Sequence, residues 1–564
     1  MTSTRRRMWA CGLILTILGG FAPVSNAWDE VQFAAAVQQM LAERRHPDLK
    51  QGDLASESDI LTAVYAGRDY RPLWRHKGTV SPQANAIVRR LLRVSDEGLP
   101  PSDYDGDVLA SSILALDSGA DDDEQRWARL DLGLSTALLR LITHLHYGRI
   151  DPRQAGFNTP IMAPSHLDRA AVLLQLATAD DTDARIYRVE PPFQHYRRLK
   201  AILPRLRQLA ADPELTRLPP LPAEVVRAGG SYVGAPALRV LLRALGDLAS
   251  DDRTGGSLIF DQELSAAVAR FQRRHGLQAD GTLGPATYKS LTTPLSRRVR
   301  QVELTLERWR WLPRFERPPI IVNIPQFRLF ALRTTDDAES DVLQMDVIVG
   351  QTFARMRTPI FAADMSYVVF RPYWDVPYSI TTRELLPQIR ANPNFLAARH
   401  LEIVRGASDA ASPLPATSEN LAALASGKLR LRQLPGADNA LGLVKFMLPN
   451  RYNVYLHSTP TPDLFKEARR AFSHGCIRVS DPVALAQFVL RDTPGNWTPD
   501  RIAALMQGPA TRRVSLSESI PVMILYATAA ADEGGQAYFF EDLYGHDAHL
   551  EALLHLAPSA PPLP

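Results

Sequence analysis

Cys476 stands inside the segment Ser473-His474-Gly475-Cys476-Ile477-Arg478-Val479, nineteen residues after His457. Acyl transfer by a thiol needs a base that takes and returns the proton, a group that orients the base, and donors for the oxyanion. Cys476 offers the sulfur and His457 the base. Gly475 lets the backbone approach a ligand closely, so the amides of Gly475 and Cys476 are candidates to face an oxyanion. Val483 to Leu490 has a helical pattern, which would set Cys476 shortly before a helix N-terminus and favour its thiolate. In a papain-like peptidase the cysteine comes early and the histidine far downstream, so the order here argues against that class. One cysteine and two histidines without a nearby carboxylate triad make no zinc pattern, and nothing calls for another cofactor.

The elements that must carry these residues are β-rich. His457 closes an alternating run from Asn453, and a strand followed by a loop and return can bring it beside Cys476. From Pro318 apolar or alternating runs recur, at Ile320–Ile324, Phe327–Leu332, Asp346–Val349 and Tyr367–Phe370. Between Trp374 and Leu443 lies a stretch too long for a simple connection, which predicts a lid or insertion over approximately 378–442. A last strand, Ile520 to Tyr526, closes the domain.

Upstream the texture is helical. Residues 28–225 read as a mainly helical domain, in which Leu130 to Tyr147 has helical apolar spacing and Gly148 with Pro152 ends it. His144 and His146 lie in that run, more as packing groups than as ligands. The Pro-rich Leu218–Pro222 marks a boundary. Residues 230–292 form a compact unit with helices at Pro236–Leu248 and Leu264–His275 and a third starting at Gly284-Pro285. Val268, Phe271 and Leu277 are its expected core. Residues 293–317 are expected to link this unit to the β-rich domain at 318–548, followed by a flexible tail at 549–564.

The N-terminus differs. Arg5, Arg6 and Arg7 precede an apolar run from Met8 to Phe21, and Val24-Ser25-Asn26-Ala27 offers a small-x-small cleavage site, so residues 1–27 read as a signal peptide. The formal charge of +3 is largely carried by those arginines, and no nucleic-acid partner is indicated. Of the two cysteines, Cys11 lies within the apolar run. A lipid-modified cysteine would follow that run, which argues against a lipoprotein. The exported chain would keep one thiol, Cys476, in a compartment where structural cysteines come in pairs.

Two resemblances join these readings. AVARFQRRHGLQADGTLGPATYKSL, within 230–292, is similar to the three-helix peptidoglycan-binding module of wall enzymes. His457-Ser458-Thr459 together with Ser473-His474-Gly475-Cys476-Ile477-Arg478 resembles the signature of the YkuD-type L,D-transpeptidase domain. Pro372 to Pro377, Leu443-Val444-Lys445-Phe446 and Tyr538 to Asp547 resemble its long, YcbB-like branch. That branch implies a multidomain α+β protein: a helical scaffold, a small peptidoglycan-binding module and a β-rich catalytic domain with a helical and loop lid. It implies a periplasmic enzyme in which Cys476 attacks the third residue of a tetrapeptide stem and expels the terminal D-Ala. A second stem then resolves the thioester into a 3→3 cross-link. His457 would be base and acid, oriented by the carbonyl of Ser458, with His474 assisting or gating. Arg478 would hold a substrate carboxylate or a loop, and Trp374 and Tyr455 would line the cleft. Partners implied are stem peptides, glycan strands, carbapenem-type inhibitors and wall-synthesis proteins. Lipoprotein attachment, D-amino-acid exchange and hydrolysis share the first half-reaction, and a wall-binding scaffold with a vestigial site is the non-enzymatic alternative.

Overall fold

The computed structural model describes residues 28–118, 123–157, 165–222, 225–249, 256–335, 342–392, 394–406 and 408–556. The expected signal peptide, residues 1–27, lies outside them, as does the chain from Ala557. Among the described residues no helix is long and apolar enough to cross a membrane.

The scaffold is built round α1 (Glu124–Tyr147), whose N-terminus is capped by the Asp123 carboxylate and whose chain leaves at Gly148 with φ 82°. Its apolar residues face neighbours on all sides, which makes it the centre of the domain rather than a surface helix. Asp131 within it accepts the Tyr65 hydroxyl at 2.6 Å and the Leu73 and Trp74 amides at 3.1 and 2.8 Å. Burial nevertheless raises its carboxyl pKa to about 6. His144 and His146 serve packing: His144 meets the Tyr104 hydroxyl at 2.7 Å, and both ring nitrogens of His146 face backbone carbonyls. A second long helix, α2 (Gln194–Ala210), carries the scaffold toward the rest of the chain.

In the small module, α3 (Gln262–Arg274) sets Leu264, Val268 and Phe271 into a core with Leu283; Leu277 is only half-buried and lies outside it. Gln272 explains the motif spacing. Its amide nitrogen lies 3.0 Å from both Asp280 Oδ1 and Thr287 Oγ1, while its oxygen accepts the Gly281 amide at 2.8 Å. Helix α4 (Leu295–Arg310) follows, packed along α2.

The β-rich region contains β1 (Ile320–Asn323), β2 (Arg328–Leu332), β3 (Val342–Gly350), β4 (Phe361–Phe370), β5 (Val444–Met447), β6 (Leu456–His457), β7 (Ala471–Ser473), β8 (Ile477–Val479) and β9 (Arg512–Leu525). They pair in the order β7-β3-β8-β6-β5-β4-β9-β1-β2, and β2 pairs back to β3, so the sheet closes into a barrel with β7 appended outside. Alternation sets the two faces. Val444, Phe446, Leu456, Ile477 and Val479 fill the interior, and Lys445, His457 and Arg478 point the other way.

Between β4 and β5 the insertion is a small α+β body with more strand than its sequence pattern reveals. Trp374–Asp375, Leu401–Val404, Pro413–Leu414 and Arg430–Gln433 form a sheet, and helices pack on it through Ile380, Leu386, Ile389, Ile403, Leu424 and Leu431. The strand Arg430–Gln433 reads RLRQ, too short and too charged to announce itself.

The expected flexible tail at 549–564 is corrected over its first half. A helix, α5 (His546–Leu556), continues the chain, and Leu550 and Leu554 are buried in the main core. Two leucines four residues apart form one helical face, and burying them outweighs the fraying expected of a chain end. Leu550→Ala should lower the unfolding free energy by about 2–4 kcal/mol, read in chemical denaturation, as for a fully buried leucine.

Candidate active site

One pairing brings the site together. Strand β6 runs parallel to β8, with Leu456 opposite Ile477 and His457 opposite Arg478. On its other side His457 pairs with Lys445 of β5. Side chains at paired positions share a face, as do residues two apart on one strand. Lys445, His457 and Arg478 therefore form one row, with Tyr455 and Cys476 on the row beside it.

His457 is 4 % exposed. Its Nδ1 lies 2.6 Å from the Ser458 carbonyl, so the hydrogen-bond network puts the proton on Nδ1 and leaves the Nε2 lone pair available. Burial, and then the Arg478 guanidinium, lower its pKa to about 3. The imidazole is thus neutral at neutral pH and able to accept a proton. Ser458 is itself fixed: its hydroxyl accepts the Leu443 and Val444 amides at 2.7 and 3.1 Å and donates to the Leu441 carbonyl at 3.2 Å. Gly442, at φ 63°, makes this wrap possible, since a Cβ there would stand 2.3 Å from the Ser458 hydroxyl.

Cys476 is half-buried and is the free cysteine among the described residues. Its sulfur points to the Asn453 carbonyl at 3.7 Å and lies against the Tyr455 hydroxyl, which also meets the Trp374 side chain. No hydrogen bond joins Cys476 to His457 among the described residues. Burial pushes the thiol pKa up, with Tyr455, Lys445 and Arg478 opposing. The expected help from a helix N-terminus is absent, because β8 intervenes before the helix Pro482–Leu490, whose cap is already the Asp481 carboxylate. The resting pair is a thiol beside a neutral imidazole.

Gly475 adopts φ 117°. Contrary to the expectation that its amide faces an oxyanion, that N–H donates to Ser473 Oγ at 3.1 Å, and the same hydroxyl donates to the Cys476 carbonyl at 2.6 Å. The Cys476 amide meets no acceptor among the described residues and remains the donor of the two. His474 reaches the insertion, where its Nε2 lies 3.1 Å from Glu384. Glu384 sits in a π-helical turn, Thr381–Leu385. Arg478 makes no salt bridge among the described residues, and one of its nitrogens lies 3.5 Å from Thr461 Oγ1.

Three contributors were not legible as site residues. Lys445 stands with its ammonium 3.9 Å over the Tyr455 ring, visible only once β5 and β6 are in register. Thr358 donates to the Gly475 carbonyl at 2.8 Å and accepts the Gly350 amide at 2.9 Å. Tyr544 donates to the Gly350 carbonyl at 2.6 Å and accepts the Thr358 amide at 3.3 Å, so it braces the turn that holds Gly475. Both lie far from the cysteine motif, and no local pattern links them to it.

Two outcomes follow from this geometry. With the thiol pKa raised and no preformed ion pair, the rate of Cys476 alkylation by iodoacetamide should climb steadily from about pH 6 through about pH 9. A plateau already reached near neutrality would instead reveal a thiolate–imidazolium pair. Tyr544→Phe, which removes one hydroxyl and leaves the Gly350 carbonyl without its donor, should slow acylation of Cys476 roughly tenfold. Its melting temperature should stay within a few degrees of wild type.

Comparison with known proteins agrees with this layout. Residues 59–203 match a family described as "Scaffold domain", 236–291 one described as "Putative peptidoglycan binding domain", and 317–496 the YkuD "L,D-transpeptidase catalytic domain". A Haemophilus influenzae protein named "Putative L,D-transpeptidase" is 32% identical over 261 residues, 46% of this chain. The match spans 50% of that relative's length. Scaffold, peptidoglycan-binding and YkuD L,D-transpeptidase catalytic domains thus follow one another in this order along the chain, and the third contains Cys476.

Proposed function

We propose that the protein is a peptidoglycan L,D-transpeptidase that forms 3→3 cross-links outside the cytoplasm, in the periplasm, without a cofactor. The observation that carries this reading is the β6–β8 pairing, which puts a neutral His457 and the Cys476 thiol on one barrel face beneath a separately folded lid.

The steps use the groups at hand. Cys476 Sγ attacks the carbonyl carbon of the third stem residue as its proton passes to His457 Nε2, after a side-chain rotation that releases the Asn453 carbonyl. The oxyanion forms near the Cys476 amide. His457 returns the proton to the departing D-Ala nitrogen as the C–N bond breaks, leaving a thioester. An amine of a second stem then attacks the thioester, gives its proton to His457, and a new amide replaces the C–S bond while the thiol is restored. The carbonyl of Ser458 keeps Nδ1 protonated throughout and stabilises the imidazolium that forms. Trp374 and Tyr455 wall the cleft beside the sulfur, and His474 couples it to the lid through Glu384. A lid that excludes water favours an amine over hydrolysis.

Intact-protein mass spectrometry after incubation with a carbapenem should reveal one adduct on the wild type and none on Cys476→Ala. Incubation with disaccharide-tetrapeptide should then yield a cross-linked dimer and free D-Ala. Tripeptide alone would assign hydrolysis, exchange of the terminal residue on adding a D-amino acid would assign exchange, and transfer only to a lipoprotein lysine would assign attachment. A folded wild type that forms neither adduct nor product would leave a wall-binding scaffold with a vestigial site.

A further inference from the structure

Lys445 is a charged group of this face that the reaction above does not use. Its Cα pairs with that of His457, and His457 pairs with Arg478, so three long side chains rise side by side from adjacent strands. The outer two are cationic and the middle one is a neutral imidazole. Neither Lys445 nor Arg478 has a carboxylate within salt-bridge distance among the described residues; the Arg478 Nε is buried without a partner. The ammonium of Lys445 instead lies 3.9 Å above the Tyr455 ring, whose hydroxyl touches the Cys476 sulfur. The acidic groups whose charges act on Lys445 are Asp375 of the lid, the Cys476 thiol and Asp409 of the lid, and Asp375 is already held by Arg430 at 2.5 Å.

Two cations on one wall repel each other, and burying a cation without a counter-ion is costly. Burial accordingly lowers the Lys445 pKa. A lysine kept in such a place, over an aromatic ring and with no carboxylate in salt-bridge reach among the described residues, is arranged for an anion that comes and goes.

We propose that Lys445, across His457 from Arg478, binds a carboxylate of the acyl-donor peptide within one residue of the scissile amide, and so selects donors that carry that charge. This inference rests on the reading of the site as a stem-peptide acyl acceptor. The carboxylate has two possible sources: the free C-terminus of the leaving residue, or an acidic side chain on the residue attacked.

Binding can be separated from turnover in a Cys476→Ala background. The full chain is titrated calorimetrically with a tetrapeptide stem as the free acid, with its C-terminus amidated, and with its side-chain carboxyl amidated. One amidation should weaken binding roughly 10- to 100-fold, the size of a lost charge-assisted hydrogen bond, and which one does so names the source. Adding Lys445→Met should weaken the free acid by a similar factor and bring its affinity level with that amide. Lys445→Arg should restore the preference, and both variants should melt like the parent. Equal affinity of all three peptides for the Cys476→Ala protein would overturn the inference, and so would an acid-to-amide ratio that survives Lys445→Met. Turnover by the wild type is scored separately, so an inactive enzyme that still discriminates would reject the reaction and keep the carboxylate site.

Discussion

The short parallel pairing of β6 with β8 is the constraint on which the site depends. Each strand is only two or three residues long, and neither would hold alone. Leu456 and Ile477, both fully buried, anchor them in the barrel core. Because side chains alternate across a strand, burying those two residues leaves His457, Tyr455, Cys476 and Arg478 no choice but the opposite face. A slip of one residue would put the imidazole into the core and Leu456 into the cleft. The hydrophobic effect thus sets the register, and the register sets the chemistry.

Electrostatics on that face follow from burial more than from pairing. The imidazole is shielded and stands beside a guanidinium, so it stays uncharged. The thiol is shielded too, and its neighbours Lys445, Arg478 and Tyr455 oppose that penalty. Cys476 is thus held as a thiol at rest, near an imidazole whose Nδ1 is fixed by a backbone carbonyl. Backbone fixation differs from a carboxylate partner: it orients the ring without adding a negative charge to a face that carries cations on both flanks.

Cys476 and His457 stand out in the sequence because both lie in a compact motif whose spacing is itself unusual. The strands that carry them were readable in outline, as alternating runs from residue 320 onward. What could not be read depended on contacts remote in sequence. Lys445 becomes a neighbour of His457 only through strand pairing, and Tyr544 reaches Gly475 through Thr358 across a fold that brings together residues 350, 358, 475 and 544. The helix after Cys476 stands where its pattern predicts, but the five residues 477–481, β8 among them, separate it from the thiol, so its dipole does not act there. Gly475 was singled out rightly for its backbone conformation, whereas its amide is satisfied by a neighbouring serine that local spacing gave no reason to involve.

The brace on the catalytic turn comes from a segment beyond the 317–496 region that matches the catalytic family. The Tyr544 amide donates to the Tyr526 hydroxyl, which donates to Asp542; Asp542 accepts the Asp547 amide, and Asp547 pairs with Arg308 of α4. The Ala537 carbonyl meanwhile accepts Arg274 of the small module. The region that matches the catalytic family and the region that folds with it are therefore different in extent. A ribosome delivers the chain from its N-terminus, so Cys476 emerges well before Tyr544. During that interval the Gly475 turn exists without its support, which arrives with the segment that also clasps the small module and α4.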